Sequence, residues 1–66
     1  MLANTLAEHR KAAGLTQAEL ARRVGVSRKT INTVENRVFI PSTVLALKLA
    51  HELGVGVETL FSLTDD

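Results

Sequence analysis

The stretch Leu15-Thr16-Gln17-Ala18-Glu19-Leu20-Ala21-Arg22-Arg23-Val24-Gly25-Val26-Ser27-Arg28-Lys29-Thr30-Ile31-Asn32-Thr33-Val34-Glu35-Asn36 decides the architecture. Thr16 followed three residues later by Glu19 is a capping box: the Thr hydroxyl satisfies one free N–H of a new helix and the Glu carboxylate reaches back to another. Leu15 and Leu20 occupy the two positions of a hydrophobic staple around that cap. The helix so begun turns Leu20, Ala21 and Val24 inward and reaches Gly25, a residue that accepts a left-handed backbone. Only Val26 separates this glycine from Ser27, a second N-cap, and Val26 with Ile31 repeats the staple. The next helix turns Ile31 and Val34 inward and leaves Arg28, Lys29, Asn32, Thr33 and Asn36 on its other side. Two helices joined through so short a glycine turn cross at about 90–120°. Ala21 is small enough to let them approach.

Outward from this corner the chain reads as three more helices. The first runs from about Leu2 to Ala13, with Leu2, Leu6, His9 and Ala13 on one stripe and Gly14 to end it. After the corner, Pro41 biases Ile40 away from helical angles, so Val38-Phe39-Ile40-Pro41 is a loop. Ser42 caps a fourth helix to about Leu53, whose many apolar residues, Val44 and Leu47 among them, mark it as the most buried. Gly56 stands at the cap position of a short fifth helix, about Val57 to Leu63. No sustained two-residue alternation is present, so strands are not expected. The fold class is all-α: a compact five-helix unit, one domain over residues 1–66, with the paired helices at about 17–36.

Composition narrows the function. The 66 residues are 45% apolar, and eight Lys and Arg nearly balance seven Asp and Glu, the balance of a folding chain. There is no cysteine, and the chemistry-bearing inventory is two histidines, His9 and His51, with both aspartates at the tail. That is poor material for a catalytic site, so no enzyme, metal or cofactor is expected. No apolar run approaches the ~20 residues a membrane span needs, and no basic start precedes a long apolar stretch. A soluble intracellular domain is the expectation. The charge is unevenly spread: residues 10–37 hold seven Lys and Arg against Glu19 and Glu35, while residues 38–66 carry a net negative charge. A basic middle is a footprint for a polyanion, or a solvated helical surface.

Leu15 through Ala21, Val24-Gly25-Val26-Ser27-Arg28, Ile31, Glu35-Asn36 and Pro41-Ser42 resemble the helix-turn-helix domain of lambdoid phage repressors, Cro proteins and the bacterial xenobiotic-response-element (Xre) regulators. The resemblance covers Leu6 to Phe61. It implies a cytoplasmic, nucleoid-associated regulator that binds double-stranded operator DNA as a two-fold dimer, with helix 3 in the major groove and the start of helix 2 on the phosphate backbone. It implies base contacts from Arg28, Lys29, Asn32 and Thr33, whose chemistry suits them: Arg and Lys to guanine O6 and N7, Asn to adenine N6 and N7, Thr to the thymine methyl. It implies phosphate contacts from Gln17, Asn36 and Arg37. Arg10 and Glu35 match family positions that form an ion pair between helices 1 and 3. For each polar residue the plainer alternative is an exposed position on a helix.

Three positions depart from the family pattern. Arg37 stands where Gly often follows Glu-Asn, so helix 3 ends differently or Asn36 takes the left-handed position. Gly56 replaces the commoner Ser or Thr cap, and His9 replaces an aliphatic residue. A core this small supplies only about 3–5 kcal/mol, which motivates a homodimer. Val55, Val57 and Leu63 are the candidate contact, unless they close the monomer core. No small-molecule ligand is evident. The competing function is a protein-interaction module of the same shape, acting on an antitoxin partner or on polymerase. A basic helix 3 argues against it, because interface centres are depleted in charge.

Overall fold

In the computed structural model, which describes residues 1–65, the corner between helices 2 and 3 is built from the two capped segments. Helix α2 spans Gln17–Val24 and α3 spans Arg28–Glu35. Thr16 accepts from the Glu19 N–H at 3.0 Å and donates its own N–H to Glu19 Oε1 at 2.8 Å, closing the capping box. Ser27 accepts from the Thr30 N–H at 3.1 Å. Leu20, Ala21 and Val24 from α2 meet Ile31 and Val34 from α3 in the buried core. The other helices surround this pair: α1 spans Leu6–Ala12, α4 Thr43–Leu53 and α5 Val57–Leu60. Leu6, Leu45, Leu49, Ala50 and Leu60 complete the core, and Ser42 caps α4 by accepting from the Leu45 N–H.

Strands, which the sequence gives no reason to expect, close the molecule. Leu2–Asn4 is β1 and Phe61–Leu63 is β2, paired antiparallel with Leu2 opposite Leu63, Ala3 opposite Ser62 and Asn4 opposite Phe61. Helix 1 therefore starts at Leu6 and not at Leu2. Helix 5 stops at Leu60, because Phe61 is extended at φ −126°, ψ 138°. The physical reason is pairing across the whole chain. Backbone N–H groups near both ends find partners in each other: Thr5 donates to the Leu60 carbonyl at 2.9 Å and Thr64 to the Met1 carbonyl at 2.8 Å. Three residues are too few to show an alternating pattern, so only the assembled fold reveals them.

Helix 4 also differs from expectation. It buries Leu45, Leu49 and Ala50, but Val44 and Leu47 stay more than half exposed. Packing takes a single stripe of the helix, and among the described residues no element covers Val44 and Leu47.

The first four helices leave through one kind of turn. Leu15, Val26, Val38 and Val55 each donate a backbone N–H to the carbonyl five residues earlier, at 2.9–3.1 Å. Such an exit needs a left-handed residue just before the donor. Gly14, Gly25 and Gly54 supply it after α1, α2 and α4, and after α3 Arg37 supplies it itself at φ 61°. Asn36 stays at φ −87°. The left-handed position thus falls on the residue without glycine's freedom, because the turn geometry, not the side chain, dictates where it lies.

An ion pair ties α1 to α3. Arg10, 8% exposed, donates from Nε to Glu35 Oε2 at 2.7 Å and from Nη2 to Oε1 at 3.2 Å. Its Nη1 donates to the Leu15 carbonyl at 2.9 Å, so the guanidinium also fixes the entry to α2.

Removing one member of a buried pair leaves the other charge unpaired, at about 3–5 kcal/mol. Glu35→Ala should therefore leave the domain largely unfolded in urea titrations at 25 °C, whereas Arg10→Met with Glu35→Leu should recover most of the loss. Arg37→Gly should relieve part of the ~1–2 kcal/mol left-handed strain, offset by the greater chain entropy of glycine, and raise the melting temperature by a few degrees. The Thr16 backbone N–H and hydroxyl hold the Glu19 carboxyl below its usual value of 4.5. A group whose pKa falls on folding stabilises above its unfolded value and loses that contribution as pH falls through the folded one. Stability of the wild type relative to Glu19→Gln should thus decline below about pH 4.5, measured by denaturant midpoints across pH.

Candidate nucleic-acid interface

Helix α3 is anchored by two residues. Ile31 is 0% and Val34 1% exposed, while Glu35 is held by Arg10. Arg28 and Lys29, in its first turn, are exposed, and so are Asn36 and Arg37 just beyond its end. Asn32 and Thr33 are half-buried between them. The fold thus places all six on or beside one short helix, with the two longest cationic side chains at its N-terminal end.

Their hydrogen bonds define what each can still do. Thr33 donates its hydroxyl to the Thr30 carbonyl at 3.0 Å, which spends its hydroxyl proton and leaves the oxygen able to accept. The Asn36 amide donates to the Asn32 carbonyl at 2.9 Å and also to Asn32 Oδ1. Asn32 therefore has its acceptor engaged and its two N–H donors available. The Ser27 and Thr30 hydroxyls bond each other at 2.9 Å at the start of the helix.

Gln17, at the first position of α2, is half-buried and donates from Nε2 to Glu35 Oε1 at 2.9 Å. Its side chain thus ties the start of α2 to the end of α3, a contact that sequence reading did not specify. The capping box occupies the Thr16 and Glu19 N–H groups. The N–H groups of Gln17 and Ala18 remain in the first turn, where the helix dipole favours an anion.

Other cations and histidines lie elsewhere. Arg22 and Arg23 are exposed in the last turn of α2, and Arg23 borders a groove with Leu47, Lys48 and His51 of α4. His9 is half-buried, its Nδ1 within 3.0 Å of the Thr5 carbonyl and 3.2 Å of the Thr5 hydroxyl. Val55 and Val57 are half-buried against the monomer's own core, whereas Leu63 is 86% exposed at the end of β2. Among the described residues, no three of His, Asp and Glu gather to hold a metal ion, and no helix is long and apolar enough to cross a membrane.

One residue of this region was hidden from sequence reading. Asn4, in β1, donates from Nδ2 to the Val34 carbonyl at 3.0 Å, thirty positions away. No local signal marks it, since its partner is a backbone atom brought near by the strand pair.

This arrangement has close counterparts. The profile of the helix-turn-helix family matches residues 6–60. An HTH-type transcriptional regulator of Methanothermobacter thermautotrophicus is 50% identical over 60 residues, covering 89% of this chain and 87% of the relative. One from Methanocaldococcus jannaschii is 43% identical over 63 residues, 96% of each. Among solved structures, the restriction-modification controller protein C.AhdI of Aeromonas hydrophila superposes with a TM-score of 0.77 at 37% identity, over 82% of both chains. A DNA-binding protein from Bacteroides fragilis, so described provisionally, reaches a TM-score of 0.85 at 26% identity over 94% of this chain and all of its own. The chain belongs to the Xre/lambda-repressor-like helix-turn-helix family and has the DNA-binding fold of its transcriptional regulators.

Proposed function

We propose that the protein is a sequence-specific regulator, a small repressor or controller that reads a near-palindromic operator through α3 in the major groove. The observation that carries this reading is the division of α3 into two sides: Ile31 and Val34 fully packed, Arg28 and Lys29 exposed. A helix held by its apolar stripe can enter a groove without losing its seat, and its first turn carries the donors that suit guanine.

The roles follow from the free hydrogen-bonding capacity. Arg28 and Lys29 contact base edges. Thr33 presents its methyl to thymine. Asn36 and Arg37 lie beyond the helix and meet phosphates. When Asn36 turns to a phosphate it releases Asn32 Oδ1, so that Asn32 can then accept from adenine N6 and donate to N7. At the other helix, the Gln17 and Ala18 N–H groups meet a phosphate, with the Gln17 side chain fixed by Glu35. Two copies bind together, related by the two-fold of the operator, with half-site centres about 34 Å apart. Leu63, the most exposed of the three candidate dimer residues, is the first to test by sedimentation, through Leu63→Glu.

Selection of bound sequences from random duplex DNA should yield a two-fold symmetric site. Arg28→Ala should cost about 1–3 kcal/mol and relax preference at one base pair in each half. An unchanged preference profile for this variant would remove Arg28 from the base-reading set.

A further inference from the structure

We infer that Asn4 is a positioning residue for the DNA-backbone contact: its side-chain amide, in the N-terminal strand, holds the turn that delivers Arg37 to phosphate. The inference rests on the reading of Arg37 as a phosphate contact and extends it to a residue far away in sequence.

The last turn of α3 leaves carbonyls that no further helix satisfies. The Asn32 carbonyl accepts from the Asn36 backbone and side chain, and the Thr33 carbonyl accepts from the Val38 and Phe39 N–H groups. The Val34 carbonyl accepts from the Arg37 N–H at 3.1 Å and from Asn4 Nδ2 at 3.0 Å. Both lone pairs of this oxygen are therefore used, one by the residue whose left-handed backbone makes the turn and one by Asn4. The other end of the Asn4 amide is also committed, since Oδ1 accepts from the Leu6 N–H at 3.2 Å at the start of α1. Asn4 is itself fixed in place, paired in register with Phe61 of β2. Asn4, Val34, Arg37, Val38 and Phe61 border one cleft.

The tether matters because Arg37 is the one member of the four left-handed helix exits that is not glycine. A residue with a Cβ prefers to leave this conformation. Of the bonds that hold the turn, the one from Asn4 comes from outside the α3 segment and its loop. It links the backbone at Arg37 to the paired chain ends, so an exposed cation at the edge of the interface keeps a fixed origin. A fixed origin lowers the entropy lost when the guanidinium meets a phosphate.

Asn4→Ser separates the two bonds of the amide. Serine can still accept from the Leu6 N–H but is too short to reach the Val34 carbonyl, and it adds no charge. Ser42→Ala, which removes the cap of α4, serves as a control of comparable stability loss away from α3. Binding of the wild type and of Asn4→Ser, Arg37→Ala, Ser42→Ala and the Asn4→Ser/Arg37→Ala pair to a selected duplex is followed by anisotropy across salt concentrations. Arg37→Ala should reduce the slope of log K against log salt by about one. Asn4→Ser should reduce it in the same direction and leave base preference unchanged. In the Arg37→Ala background it should have no further effect on the slope, and Ser42→Ala should keep the wild-type slope. In the free protein, amide exchange at Arg37 and Val38 should accelerate at least tenfold in Asn4→Ser and not in Ser42→Ala. A wild-type slope in Asn4→Ser beside a reduced slope in Arg37→Ala would overturn the positioning role while leaving the phosphate contact intact. A wild-type slope in Arg37→Ala would overturn the phosphate reading itself.

Discussion

The Glu35 carboxylate is shared among three helices. It lies in the last turn of α3, takes two bonds from Arg10 of α1 and takes a third from Gln17 at the start of α2. Arg10 in turn holds the Leu15 carbonyl. A charge with so little exposure is tolerable only with each partner present, since the desolvation of either ion alone is large. The arrangement therefore acts as a geometric constraint more than as a source of net stability. It permits one relative placement of α1, α2 and α3. The apolar core beneath them supplies the driving force, and Ile31 and Val34 set the face that α3 turns inward.

From that constraint the placement of the exposed residues of α3 follows. Because the inner side of α3 is consumed by packing and its C-terminal end by Glu35, its outward residues occupy fixed positions relative to the start of α2. On the proposed reading, the N–H groups of Gln17 and Ala18 and the exposed side chains of Arg28 and Lys29 act on one duplex together. Such rigidity suits the proposed duplex contact, because flexible cations would lose on ordering much of what they gain on contact. The terminal strand pair adds a further fixed point through Asn4, at the opposite end of α3 from Arg28.

The helical part of the fold was legible in the residues because its signals are local. Thr16 with Glu19, Ser27, and Ser42 mark starts that depend on atoms within one turn, and Gly25 and Gly54 mark exits for the same reason. The exposed polar residues proposed as the interface were legible as residue types on and beside α3. What each could do was not. That Asn32 has its acceptor occupied by Asn36, and that Gln17 is committed to Glu35, depends on rotamers chosen in the assembled molecule. The apolar content of α4 misled for a related reason: composition tells how much could be buried, but the number of neighbouring elements decides how much is.

The sequence by itself determined five helices, the N-caps of α2 to α5, the corner between α2 and α3 and the inward stripe of Ile31 and Val34, since hydrogen-bond closure within a turn and a 3.6-residue period need no distant partner. Only the tertiary structure decided that the two ends of the chain pair as strands, that Arg37 takes the left-handed position, and that Asn4 closes the last free lone pair of the Val34 carbonyl. These depend on atoms brought together from sequence positions 30 or more apart or on a turn whose geometry outweighs side-chain preference, and neither leaves a local mark in the order of residues.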